Sequence, residues 1–330
     1  MPRATLANVA ARAGVSLGTA SKALSGTGRM RQETRERVFE AAGELGFSPN
    51  RHAQSLHTGR SWTVGLMTTD GIGRFSIPVM LGAEDALGAG QISVLLCDTR
   101  ADAIREQHHL RTLTERRVDG IIVMGRRTDP RPSLSGIGPI PAVYAFSPST
   151  DPADVSVVTD DAGGATLAVE YLLGLGRTRI AHLTGPRHHA SARIRASRAL
   201  ELVERADFGL VTGRAHYGDW SEAWGRRAAE LVLRAAPDAI FCGNDQIARG
   251  AADTLRERGV RIPDDIAIVG YDNWDSMALA SRPPLTTIDM NLGEIGRVAA
   301  LRLLAQIGHD APEESGATTI GCRLIVRESA

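Results

Sequence analysis

Apolar positions recur along this chain with two different periods. From Ala4 to Leu45 they fall three and four residues apart: Leu6, Val9 and Ala10, then Val15, Ala20 and Leu24, then Val38, Phe39, Ala42 and Leu45. That spacing predicts three short helices closing one small core, the third over residues 32–45. Thr5 and Ser16 stand just before the first two, where their hydroxyls can accept from helix N–H groups that lack an internal partner. Gly14 separates those helices and Gly46 ends the third, as expected of helix C-termini. From Trp62 onward the pattern changes to apolar, β-branched runs at 64–67, 92–96, 120–124, 142–144 and 155–158. A second series follows at 180–183, 239–241, 266–269 and 286–288. Helical segments separate most of them, one carrying Ala165, Ala168, Leu172 and Leu175 on a single face. Such alternation predicts an α/β architecture of parallel sheets covered by helices on both sides. The number of strands fits two doubly wound lobes better than one, with ligands expected at the carboxyl ends of the strands.

The second short helix leaves Leu17, Gly18, Ser21 and Lys22 facing away from the small core. A short helix with a spare polar face, braced across another helix, has the form that enters a DNA major groove; an ordinary helical hairpin is the plainer alternative. Farther on, Pro49 forces Ser48 out of helical geometry, and residues 50–57 have length for barely two turns. So short a helix is not stable alone in water and needs a partner surface, for which Ala53 and Leu56 supply small and apolar groups. Charge agrees with this division. The chain is neutral overall, yet residues 1–60 carry nine Lys/Arg against four Glu, or +5, and the remaining 29 basic and 34 acidic residues leave −5. Phosphate-binding charge is thus concentrated where DNA contact is expected.

Three segments then carry a resemblance. T-L-x-x-V-A-x-x-A-G-V-S-x-x-T-x-S, T-R-E-R-V and S-P-N-R-x-A-Q-S-L are similar, in register over the first sixty residues, to the lactose-repressor (LacI/GalR) family of bacterial transcription factors. The resemblance implies a helix-turn-helix headpiece over residues 1–48, a hinge helix and linker over 49–60, and a two-lobed, periplasmic-binding-protein-like effector and dimerisation domain over 61–330. Its N-lobe would comprise about 61–160 and 289–318, its C-lobe about 161–287 and 320–330, with chain crossings near Asp160, Ile288 and Thr319. DNA contacts would come from Thr5, Ser16, Leu17, Gly18, Thr19, Ser21 and Lys22, and from Asn50, Arg51, Ala53 and Leu56 of the hinge. Leu56 matches the family's wedge leucine, which opens a central base step and kinks the duplex.

The resemblance continues through VGLMTTDGIGRFSIPVMLGAEDAL, VTDDAGGA, HLTGP, SARIR, GDWS, IFCGNDQIARGA, IVGYDN and LIVRES, in the expected order. It implies a small-molecule cleft between the lobes. Arg195 matches the family's effector-binding arginine, whose guanidinium fork suits paired hydroxyls or a carboxylate; a surface ion-pair arginine is the alternative. Asn244 and Asp272 follow strand ends and offer donors or acceptors to hydroxyls, unless they serve only as helix caps. Trp220 resembles the aromatic that stacks on the ligand, against the alternative of a core tryptophan. Asp70 and Phe75 on the N-lobe, and His189 and Ser191 upstream of Arg195, complete the implied set.

Several function classes are excluded. Cys97, Cys242 and Cys322 are dispersed and odd in number, supporting neither a disulfide framework nor a zinc site. The pairs His108–His109 and His188–His189 lack acidic or cysteine partners at chelating spacing, so no metal or other cofactor is expected. A basic-then-apolar leader and a membrane-length apolar run are both missing, which points to the cytoplasm rather than to an exported solute-binding protein. GIGRFS and GTGRM complete neither phosphate-loop fingerprint, and no Ser/His/Asp set suggests an enzyme.

Departures from the family pattern shape the expectation. Leu17 and Gly18 replace a more polar pair and are poor in donors, and Lys22 stands where arginine is usual. Arg31 sits where a serine cap would open the third helix. Gly73–Arg74–Phe75 replaces the common Asn-Pro-Phe and Arg198 replaces glycine, both expected to flank the cleft and to favour an atypical ligand. The sequence is thus expected to specify a homodimeric repressor of a pseudo-palindromic operator in double-stranded DNA. A small effector controls it, a sugar acting as inducer, with a purine or nucleoside corepressor as the alternative.

Overall fold

The computed structural model describes residues 4–25, 30–47, 60–71, 73–88, 91–308 and 315–330. The chain divides between Ser61 and Trp62 into two compact units.

The first unit holds three helices: α1 (Leu6–Ala13), α2 (Leu17–Ser25) and α3 (Gln32–Glu44). Each end is set by local chemistry. Thr5 and Asn8 form a reciprocal capping box on α1, and Gly14 ends it in the left-handed region at φ 65°, which costs glycine nothing. Ser16 Oγ accepts from the Thr19 N–H at 3.1 Å to open α2. Arg31 opens α3 with no side-chain cap. Val9, Ala10, Ala13, Ala20, Ala23, Val38, Ala41 and Ala42 close the core. Phe39 departs from the expected stripe, being 52% exposed. It lies about 100° round the helix from Val38, off the face that Ala41 and Ala42 turn inward.

The second unit contains two six-stranded sheets. The first is ordered β11–β5–β4–β3–β1–β2, built from β1 (Thr63–Thr68), β2 (Ser93–Asp98), β3 (Gly120–Met124), β4 (Ala142–Ala145), β5 (Val155–Thr159) and β11 (Gly316–Ile320). The second is ordered β12–β10–β9–β8–β6–β7. It uses β6 (Ile180–Thr184), β7 (His216–Tyr217), β8 (Ala239–Cys242), β9 (Ala267–Tyr271), β10 (Thr286–Asp289) and β12 (Arg323–Ile325). Every pairing is parallel except β10 with β12. The central strands are buried along their whole length, as strands covered on both faces must be.

Helices α4 (Ser76–Ala86), α5 (Ala103–Glu115) and α11 (Leu292–Gly308) accompany the first sheet. Helices α6 (Asp161–Gly174), α7 (Ala190–Arg205), α8 (Glu222–Leu233), α9 (Asp245–Glu257) and α10 (Asp275–Ala278) accompany the second. Helices α4 and α11 approach to backbone contact, because a Cβ at Gly82 would collide with the Gly293 carbonyl and one at Gly296 with that of Val79. The chain passes between sheets three times: after β5 at Asp160, between Asp289 and Leu292, and between Ile320 and Arg323. Strand β11 therefore extends through Ile320, one residue past the crossing expected near Thr319. Strands β7, β11 and β12 are edge strands with no counterpart among the expected apolar runs; β7 has two residues and β11 alternates half-buried with exposed positions.

Candidate functional site

In the first unit, α2 presents the surface that its sequence spacing implied. Ser16, Leu17, Gly18, Ser21 and Lys22 are exposed and Thr19 is half-buried against its own cap, while Ala20 and Ala23 point into the core. Leu17 is 54% exposed, a large apolar side chain in water at the start of a helix, available to a thymine methyl. The hydroxyls of Thr5 and Ser16 are engaged as caps. Asn50, Arg51, Ala53 and Leu56 lie outside the described residues.

In the second unit, the implied effector residues gather beyond the carboxyl ends of β1, β6, β8 and β9. Asp70 follows β1 and is buried; its Oδ2 accepts from the N–H groups of Phe75 and Ser76 at 2.6 and 3.0 Å, fixing the start of α4. Phe75 stacks on Phe146 with ring centroids 5.0 Å apart. Across from them, Arg195 on α7 is buried at 3% exposure and fully engaged. Its Nε and Nη2 both donate to Asp161 Oδ1, at 2.9 and 2.7 Å, and Nη1 donates to the Gly243 carbonyl at 2.6 Å. Its carbon Cζ lies 3.5 Å from the centre of the Tyr271 ring. Burial opposes the Arg195 cation, but Asp161 beside it more than compensates and holds the pKa above the ordinary value. Burial also keeps the Tyr271 phenol protonated.

Ser191 lies one helical turn before Arg195 and is buried with it. His189 precedes α7 and is buried; its Nδ1 accepts from Trp220 Nε1 at 2.8 Å, which places the imidazole proton on Nε2. Burial and the nearby Arg127 cation lower the His189 pKa, so the ring stays neutral. Trp220 lies flat on the backbone at Gly185, where a Cβ would collide with the indole. Asn244 caps α9, its Oδ1 accepting from the Ile247 N–H at 2.9 Å, so the helix-cap alternative is realised. Asp272 has φ 105° and turns its carboxylate, 5% exposed, toward Arg74 and Arg195.

Several contacts join the two lobes across this cleft. Arg74 pairs with Asp272 and donates to Gln246 Oε1 at 3.3 Å. Thr128 donates to Asp161 Oδ2 at 3.1 Å, and Asp129 accepts from the Ala190 N–H at 2.8 Å. Sequence spacing did not single out Asp161, Asp245, Tyr271 or Gln246. Asp245 is buried, accepts from Thr287 Oγ1 at 2.6 Å and the Trp274 N–H at 2.7 Å, and burial pushes its pKa up to about 6. Asp161 and Asp245 do sit inside the segments VTDDAGGA and CGNDQ, next to residues already marked. Arg198 was expected beside the cleft. It bonds instead to Thr166 at 2.8 Å and to Glu201, lining a crevice between α6 and α7 with Asp160, Gly163 and Ser197. Among the described residues no group of three His, Cys, Asp or Glu could hold a metal ion, and no helix is long and apolar enough to cross a membrane.

Comparison with known proteins accords with both units. The model of bacterial regulatory proteins of the lacI family matches residues 5–50, and that of a periplasmic binding protein-like domain matches residues 169–330. The HTH-type transcriptional repressor PurR of Aliivibrio salmonicida is 30% identical over 308 residues, covering 92% of each chain. The solved lac repressor dimer bound to operator and the anti-inducer ONPF superposes with TM-score 0.76 and 27% identity over 99% of both chains. The complex of the transcriptional regulator CelR with cellobiose superposes with TM-score 0.68 and 28% identity, over 99% of this chain and 100% of that one. The chain belongs to the lacI family of bacterial regulatory proteins: it is a DNA-binding transcriptional repressor with an effector-binding domain, and not an enzyme.

Proposed function

We propose that this repressor acts in the cytoplasm as a homodimer on a pseudo-palindromic operator, and that a sugar bound between its lobes is the inducer. Residues 1–48 read DNA, residues 49–60 form the hinge, and residues 61–330 decide when the hinge can form. The reading is carried by the convergence of a guanidinium, an amide, two carboxylates and two aromatic faces (Arg195, Asn244, Asp70 and Asp272, Trp220 and Phe75) at the strand ends. Hydroxyl-rich, flat-faced sugars match that set. The cellobiose complex of a similar regulator supports the same class.

The lobes communicate through the bridges Arg74–Asp272, Thr128–Asp161 and Asp129–Ala190. A ligand that competes for Asp272 alters the closure of the two lobes, and closure sets the spacing of the paired hinges. Switching the population from mostly bound to mostly released requires roughly a 10⁴-fold affinity difference between the two states. The stacked pair Phe75 and Phe146 also favours a second reading, a purine or nucleoside acting as corepressor.

Footprinting combined with a thermal-shift panel of saccharides, nucleosides and purines tests both. A protected palindrome released by a saccharide supports the proposal. Sequence-blind binding governed only by salt overturns the operator reading, and tightening of DNA by a purine replaces the sugar with the corepressor.

A further inference from the structure

The cleft holds a cation that the rest of the site does not need. Arg74 follows β1 at the mouth of α4, yet its side chain is only 12% exposed. The guanidinium carbon lies 4.7 Å from the Phe75 ring centre and 4.4 Å from that of Trp274, between two aromatic faces. Among the described residues its buried Nε finds no hydrogen-bond acceptor. Burial pushes the Arg74 pKa down to about 10 despite Asp245 and Asp70 nearby. Among the described residues, the carboxylate in contact with it is Asp272, which Arg195 shares at 3.9 Å.

The other cleft carboxylates are occupied. Asp161 serves Arg195 and Thr128, Asp245 serves Thr287 and Trp274, and Asp70 caps α4. Cations also border the site: Arg126 and Arg127 follow β3, and together with burial they lower the His189 pKa, against Asp129. A neutral sugar that takes the Asp272 oxygens for its hydroxyls would leave Arg74 as a buried charge without a counterion. Such a charge is strongly unfavourable unless it is paired again. A ligand that brings its own negative group removes that penalty and fills the open Nε as well.

We infer that the effector is an anionic sugar, bearing a phosphate monoester or a carboxylate, and that Arg74 is the residue that selects it. The inference rests on the cleft being a sugar site and names the class of sugar. In the resting protein the Arg74–Asp272 pair stands in for the ligand: the arginine occupies the acceptor that hydroxyls will take, and Asp272 occupies the donor that the anion will take. Binding exchanges one internal ion pair for two ligand contacts and so opens a direct bond between the lobes.

The test measures binding by calorimetry and thermal shift for wild type, Arg74→Gln and Arg74→Lys. The probes are pentoses, hexoses and disaccharides, each beside its monophosphate and its aldonic acid, with inorganic phosphate alone as a further arm. The expected result is at least tenfold tighter binding of one anionic member than of its neutral parent. Arg74→Gln erases that preference by weakening the anionic member and, with no buried charge left to strand, tightening its neutral parent, and Arg74→Lys keeps the preference. Phosphate monoesters and aldonates distinguish the two sources of the charge. Equal affinity of wild type for neutral and anionic partners overturns the inference and leaves the sugar reading standing. Binding confined to nucleosides or purines overturns both. An anion preference that survives Arg74→Gln removes Arg74 as the selector, and phosphate protecting wild type and variant equally marks an adventitious ion only.

Discussion

Replacing Arg195 tests whether the cleft is held by one buried ion pair. Arg195 and Asp161 have side chains 4% exposed, and two guanidinium N–H groups converge on the same carboxylate oxygen. Removing the arginine leaves Asp161 charged in the interior with, among the described residues, the Thr128 hydroxyl as its remaining partner, and strips the Gly243 carbonyl of its donor. Losing one member of a buried pair costs about 3–5 kcal/mol. For a unit of this size that lowers Tm by about 10 °C. Arg195→Met is expected to show this loss, whereas Arg195→Met combined with Asp161→Asn leaves no orphaned charge and recovers most of it. All four tryptophans (Trp62, Trp220, Trp224, Trp274) lie in the second unit, so tryptophan fluorescence during urea or thermal unfolding reports on that unit alone. A double-mutant cycle at pH 7 should return a coupling of about 2 kcal/mol or more. A coupling below about 0.5 kcal/mol, or Arg195→Met unfolding with wild type, would refute the pair as the element holding the cleft. The double variant is also the cleaner probe of effector response, because it separates lost recognition from lost folding.

Acid should act on two buried groups with opposite sign. His182, fully buried, has its pKa lowered by burial to about 4, so the unfolded chain takes up a proton first as pH falls below about 6.5 and stability declines toward pH 4. Asp245, with its pKa raised by burial to about 6, binds its proton first in the folded state and regains stability over nearly the same range. Asp245→Asn is therefore expected to lose about 3 kcal/mol more stability than wild type between pH 6 and 4; superimposable Tm–pH profiles would contradict this. In the headpiece, Lys22→Ala is expected to lose about 1–3 kcal/mol of operator affinity, concentrated at one guanine position in each half-site. Mobility shifts on operator variants measure it, and an equal loss on every sequence reassigns Lys22 to phosphate.

The central strands were legible because burial on both faces leaves unbroken β-branched runs, as in residues 120–124, where expected and observed ends coincide. Two of the edge strands carry no such signal: β11 reads GATTI with its side chains alternately half-buried and exposed, and β7 is too short to form a run. Phe39 misled because periodicity weighs an aromatic side chain heavily, although alanines at the neighbouring positions define the packed face. Within the cleft, residues that follow strands were marked from sequence. The ion pairs they form were not, because Asp161 reaches Arg195 and Asp272 reaches Arg74 only once distant segments meet. Arg74 stood out in the sequence as a substitution in a loop, but its burial between two rings depends on Trp274, two hundred residues farther along.

The three crossings between sheets impose an order of manufacture. Strands β11 and β12, at residues 316–325, complete an edge of each sheet, and between them they are the last elements of both lobes to be synthesised. The two sheets are therefore completed within a few residues of each other. The headpiece, whose core draws only on residues 6–47, emerges complete some 270 residues earlier. A nascent chain thus holds a finished DNA-reading surface long before it holds a finished receptor. Premature termination just ahead of residue 316 would remove an edge strand from both sheets in a single event, leaving a reader without its control.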